Sequence, residues 1–163
     1  MNIQDVLKTI QDLPFAVAIR EGENLFPWIE CVHVLALVTV IGTISIVDLR
    51  LMGLPSHRKS VRKLTQDVLP ITWAAFALAA ASGFLLFSSR AIKYYSLWEF
   101  QAKMVLILLA GINMIVFHII TYRSVHLWDE MADTPRAAKT AGAISLCLWL
   151  GVVICGRLIG FQL

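Results

Sequence analysis

Four histidines, three cysteines and a few charged residues inside long apolar runs are the groups through which this chain could do chemistry. His33 comes first. It lies in the stretch Trp28-Ile-Glu30-Cys-Val-His33, followed by a run to Val47 that carries no charge. Glu30 and His33 are three residues apart and so share a helix face. On a later apolar segment Glu99, Lys103, Ala110, Met114 and His118 fall within an arc of about 100° on a helical wheel. Asn113 lies on that same segment, and Arg157 closes the last one. Ionisable groups at membrane depth are costly to bury and are functional candidates for that reason. Each also has a plain alternative: His33 can hydrogen-bond Glu30 or a carbonyl, and Lys103 and Arg157 can extend to headgroups.

The elements that must position these residues are transmembrane helices. Of 163 residues 58% are hydrophobic, and the mean hydropathy of +0.74 excludes an ordinary soluble domain. A bilayer crossing needs roughly 20 apolar residues. Four segments qualify, at about 26–52, 69–89, 98–122 and 137–161, which predicts an all-α membrane four-helix bundle. Gly53-Leu-Pro55 ends the first span. The basic connector that follows is expected to form a short interfacial helix capped by Ser56. Arg90 to Leu97 is a polar turn containing Tyr94 and Tyr95. Residues 1–25 carry Ile3, Val6, Leu7 and Ile10 at helical spacing, opposite Asp5, Lys8 and Asp12. They form an amphipathic segment lying in the interface, or else a lid on the helix ends. No basic leader or cleavage pattern marks a secretory signal.

Four spans place both termini on one side, side A, with the loop around Lys93. Side B holds the other two loops, with Arg50, Arg58, Lys59, Arg62, Lys63, Arg123, Arg136 and Lys139. Positive-inside makes side B cytoplasmic and the termini external, in a bacterial inner membrane. Trp28, Trp73, Trp98 and Trp128 fall near span ends as an interfacial belt would. Ala75/Ala79, Ala138/Gly142 and Gly156/Gly160 have the spacing of close-packed helices. The net charge of +3 reads as topology, not as a nucleic-acid footprint.

Depth separates the histidines. His33 lies just inside the side-A end of its span and His118 far along a parallel one, an axial offset of roughly 15–20 Å. They cannot both ligate one haem iron. His33, Lys103 and Arg157 share a level, where one imidazole and two cations suit a haem with propionates or a quinone headgroup. At side B, His118, His126, His57 and Asp48 are candidates for a second polar cluster, in which His118 could hold a second haem or a metal. Cys31, Cys147 and Cys155 fall in apolar runs without CxxC spacing and read as core thiols. No GxSxG, HExxH, P-loop or GxGxxG pattern is present.

Trp28-Ile-x-x-x-His33 with its apolar run, and Trp98 before Lys103 at the start of a later helix, resemble the haem-containing membrane protoporphyrinogen oxidases of bacteria. They resemble, more distantly, the copper-resistance D membrane proteins. That resemblance implies His33 as a haem-iron ligand and Lys103 as its functional neighbour. The chain departs from the oxidases in having Asp48-Leu-Arg50 at the end of its first long helix, and His118 lies farther from Lys103 than their third-helix histidine does. Over nearly its whole length the chain is similar to a family of small bacterial membrane proteins of unknown function. The matching pieces are Pro14-Phe-Ala-Val-Ala-Ile-Arg20, His33-Val-Leu, Asp48-Leu-Arg50-Leu-Met-Gly53, Lys103, Asn113 with His118, and Gly156-Arg157.

The expectation is a b-type-haem membrane protein that transfers electrons or serves as the membrane subunit of a redox complex. In it His33 ligates iron, Lys103 and Arg157 neutralise propionates, and Asn113 hydrogen-bonds within the bundle. Glu30 and His118 complete the candidate set. The other axial position stays open among Met104, Tyr94, Tyr95, a partner residue and water. Its partners are the bilayer and a second copy or a redox protein. The alternative is a cofactor-free accessory or scaffold subunit. A transporter is disfavoured, since no helix is broken at mid-membrane.

Overall fold

The computed structural model describes residues 2–53, 60–128 and 134–162. Every regular element in them is helical. Two short helices, α1 (Ile3–Gln11) and α2 (Pro14–Glu21), precede the first long one, α3 (Leu25–Leu51). The long α4 (Val61–Ser89), the short α5 (Ala91–Ser96) and α6 (Trp98–Val116) follow. A π-helical turn (Phe117–Thr121) extends α6, then come α7 (Val125–Trp128) and α8 (Arg136–Gly160). Four helices, with the third taken as Trp98–Thr121, are long and apolar enough to cross a membrane. This is the predicted all-α four-helix bundle of an integral membrane protein. Its outer surface is apolar, with Leu35, Val38, Leu108, Ile120 and Leu150 all exposed, as side chains facing acyl chains should be.

The ends of these helices have local causes. Gly53 ends α3 by adopting φ +84°, a left-handed conformation natural only to glycine. The cap of α4 is Ser60, whose hydroxyl accepts from the Lys63 amide at 3.2 Å. The expected cap Ser56 lies outside the described residues. The expected connector helix is instead the first turns of α4 itself, which runs unbroken through Pro70. Expected as a turn, Arg90–Leu97 contains helix α5 with Tyr94 buried.

Inside the bundle α3 packs along α4 and α8, and α8 packs along α6. Val40, Ala75, Ala110, Trp149 and Val152, drawn from all four long helices, form the central core. A second cluster at side B includes Leu51, Phe117, Val125 and Trp128. Trp128 is only 5% exposed, so it is a core residue and not part of the aromatic belt. Trp28, Trp73 and Trp98 are exposed as that belt requires.

Small residues set the helix separations. A Cβ on Gly142 would lie 2.8 Å from the Asp48 carbonyl oxygen, so α3 and α8 approach closely there. Ala75, Ala79 and Ala138 are buried as the spacing predicts. Gly160 is the exception: nothing lies within 4 Å of its missing side chain. That face of the last turn of α8 is open, although Ile159 beside it is buried.

The N-terminal helices dock on side A. Leu7, Ala16 and Ile19 are buried while Ile3 and Phe15 remain exposed. Arg20 Nη1 donates to the Gln11 carbonyl at 3.0 Å and to the Ser89 carbonyl at 3.3 Å. The second bond satisfies an oxygen at the end of α4 that the helix cannot use. The Gln11 side chain accepts from the Ile92 amide at 3.3 Å. The amphipathic pair is thus held to the ends of α4 and α5 by one guanidinium and one carboxamide.

Candidate functional site

His33 projects from α3 against α4. Its Nδ1 lies 3.0 Å from Ser82 Oγ, and the ring also rests against the Ala79 carbonyl. Ser82 carries a single hydroxyl proton, which it gives to the Leu78 carbonyl at 2.6 Å. With its proton so placed, Ser82 accepts from the imidazole, and the Nδ1 of His33 carries the hydrogen. In the neutral ring this leaves the Nε2 lone pair as the acceptor. Gly83 makes room for that placement. A Cβ there would come within 2.9 Å of His33 Cε1 and 3.4 Å of Nδ1.

Lys103 approaches from α6. Its Nζ lies 3.6 Å from where a Cβ on Gly156 of α8 would be, and its charge is felt at the His33 ring. The Cys155 thiol is its electrostatic neighbour on α8. No carboxylate pairs with Lys103 among the described residues. All four long helices therefore contribute to one polar locus at side A: His33, Ser82 with Gly83, Lys103, and Cys155 with Gly156. One helical turn before Lys103 lies Glu99, which is 2% exposed. One of its oxygens accepts from the Gln162 amide, and the other has no partner among the described residues. An unsatisfied buried carboxylate oxygen costs energy and is kept where a group or proton can use it.

The remaining candidates are dispersed. Arg157 shares the level of Lys103 but not its face. Its guanidinium lies 4.5 Å from the Phe161 ring centroid, on an exposed side chain. Glu30 is exposed and makes no bond to His33; its charge acts on Tyr94. Burial pushes the Tyr94 phenol up to about 12, with Glu30 adding to the shift and Arg90 opposing it. Tyr94 therefore stays a neutral phenol at physiological pH. Of the other axial candidates, Met104 and Tyr95 are exposed on the outer surface.

Asn113 donates to the Ala141 carbonyl at 3.0 Å and so ties α6 to α8. His118 is fifteen residues beyond Lys103, about 22 Å along the helix, in the π turn, where its Nδ1 meets the Met114 carbonyl at 2.9 Å. Among the described residues the side-B candidates do not come together. His57 lies outside the described residues, His126 is exposed, and Asp48 is buried against α8, bonded to Ser145. Among the described residues no group of three or more His, Cys, Asp or Glu could hold a metal ion.

The locus also contains residues that sequence reasoning leaves out of the site. Glu99 is signalled by its four-residue spacing from Lys103. Ser82-Gly83 carries no signal, since a serine and a glycine in an alanine-rich helix are ordinary. No family model, curated protein or solved structure matches the chain.

Proposed function

We propose that this integral membrane protein binds b-type haem at side A, with His33 Nε2 as an axial ligand, and serves in electron transfer or as the membrane subunit of a redox complex. The observation that carries the reading is the 3.0 Å contact of His33 Nδ1 with Ser82 Oγ, read as a hydrogen donated by the ring. Histidines that ligate metals characteristically donate their other ring hydrogen to a fixed acceptor, which orients the ring and raises its basicity. Lys103 supports the same reading. It is a cation without a carboxylate partner among the described residues, suited to a propionate, and its ammonium head lies beside Gly156 of α8. The resemblance of Trp28 to His33 and of Trp98 to Lys103 to haem-containing membrane oxidases points the same way. When bound, haem supplies one-electron transfer; the chain holds it, offsets its charge and shields it from water. Arg157, stacked on Phe161, is placed to meet headgroups more readily than a propionate. A quinone headgroup on Lys103 is the other ligand this locus would suit.

The basic residues of side B place that side in the cytoplasm and both termini outside, in a bacterial inner membrane. A second copy or a redox partner then supplies or accepts the electrons.

One observation favours a second reading, a cofactor-free scaffold. His33 fills the notch at Gly83, and Leu106 fills the one at Gly151 with a Cβ distance of 3.0 Å. Both serve close helix packing with no ligand at all. An absorption spectrum of the purified protein, oxidised and dithionite-reduced, separates the two. The haem reading expects a Soret band that sharpens and shifts on reduction, lost in His33→Ala and retained in His118→Ala. Fully helical protein, supplied with haem during expression and still colourless, leaves the scaffold.

A further inference from the structure

A groove of about 330 Å³ lies between α4 and α6 towards side B. Leu69 and Trp73 wall it from α4; Met114, Ile115, His118 and Ile119 wall it from α6 and its π turn. It opens to the bilayer, because Trp73 is 50% and Ile115 53% exposed. π turns inside α-helices recur at functional sites, since the extra residue re-aims the side chains around it.

The one titratable lining residue defines what the groove can recognise. A carbonyl oxygen only accepts, so the Nδ1 of His118 must donate to Met114. In the neutral ring the Nε2 is then an acceptor, and it has no partner among the described residues. An acyl chain, the default occupant of a lipid-facing groove, cannot satisfy it. With no charged side chain in the lining, an anionic or cationic ligand is disfavoured. A neutral molecule that arrives through the lipid and carries a hydroxyl is what remains. The volume is at the small end for ligand pockets, about the space of one substituted ring. The Trp73 indole beside it offers an aromatic face.

We infer that the α4–α6 groove binds the ring of a lipid-soluble quinol or phenol, whose hydroxyl donates to His118 Nε2 and whose ring lies against Trp73. This site lies at the opposite end of the bundle from His33 and does not depend on whether haem binds there.

The probe is a decyl-substituted benzoquinol, kept reduced, with its dimethyl ether as the control that keeps the ring and loses the hydroxyl hydrogens. Both are titrated into the full chain in phosphatidylcholine nanodiscs while tryptophan fluorescence is followed. The quinol should quench saturably, the ether should only partition, and Trp73→Phe should remove the saturable component. His118→Ala should weaken quinol binding about fivefold to tenfold, the loss of one hydrogen bond. His118→Gln, which restores an acceptor oxygen, should recover part of that loss. Equal affinity for quinol and ether, or unchanged binding in a helical His118→Ala variant, overturns the site and leaves the groove to acyl chains. Should His118→Ala not fold, Ile115→Trp decides, because its exposed position tolerates the larger ring while that ring fills the groove. Saturable quenching that survives Ile115→Trp overturns the proposal.

Discussion

Replacing Gly83 with alanine adds one methyl group, and its effect can be worked out from the placement of His33. The new Cβ would stand 2.9 Å from His33 Cε1, closer than real Cβ atoms come to anything. The imidazole must swing away, which breaks its 3.0 Å bond to Ser82. Overpacking of this kind costs about 1–3 kcal/mol, and the lost hydrogen bond adds about 1 kcal/mol. Against this, alanine is favoured over glycine inside a helix by about 1 kcal/mol. The net expectation is destabilisation by about 1–3 kcal/mol. The stronger expectation concerns coupling. In a His33→Ala background there is no ring to displace, so Gly83→Ala should become neutral or stabilising by up to about 1 kcal/mol. Thermal or denaturant unfolding of the four proteins in one lipid or detergent system gives the coupling energy directly. A Gly83→Ala cost that is the same in both backgrounds would refute the notch and the placement of His33 within it. The haem-loaded protein adds a spectroscopic version: Gly83→Ala should perturb the Soret band, while the equally conservative Gly111→Ala, with nothing within 4 Å, should not.

Two further outcomes follow from the packing and the charge distribution. Gly142→Ala should destabilise by about 2–3 kcal/mol, because its Cβ meets the Asp48 carbonyl oxygen at 2.8 Å and backbone cannot turn aside. Gly160→Leu, in open space, should leave unfolding unchanged; equal effects from the two would mean that α8 is rotated from this register. Reporter fusions after Gln162 and in the segment 54–59 should report opposite compartments, external and cytoplasmic. A cytoplasmic C-terminus would move the His33 locus to the inner face of the membrane.

The number of spans and most of their ends are legible in the sequence because lipid imposes length and apolarity one segment at a time. The apolar run at 26–52 becomes Leu25–Leu51, and the one at 137–161 becomes Arg136–Gly160. The second span reads too short from hydropathy, because Pro70 and the charges before it look like a boundary. Ser60 caps that helix instead, and Pro70 is carried inside it, as membrane helices allow when neighbours hold the freed backbone groups. Helical spacing also identifies Lys103 and Asn113 as residues of interest, and a rise of about 1.5 Å per residue is enough to separate His118 from His33. Rotation and partnership are decided only by the tertiary structure. Glu30 and His33 share a face by spacing, yet His33 turns to Ser82 on another helix and Glu30 is left exposed. Arg157 shares a depth with Lys103, but the rotation of α8 leaves its side chain exposed. His33 takes its place because Gly83 on the neighbouring helix opens a notch for the ring. Gly83 and Gly142 open such notches only once two helices are in register, and periodicity along a single chain does not contain that information.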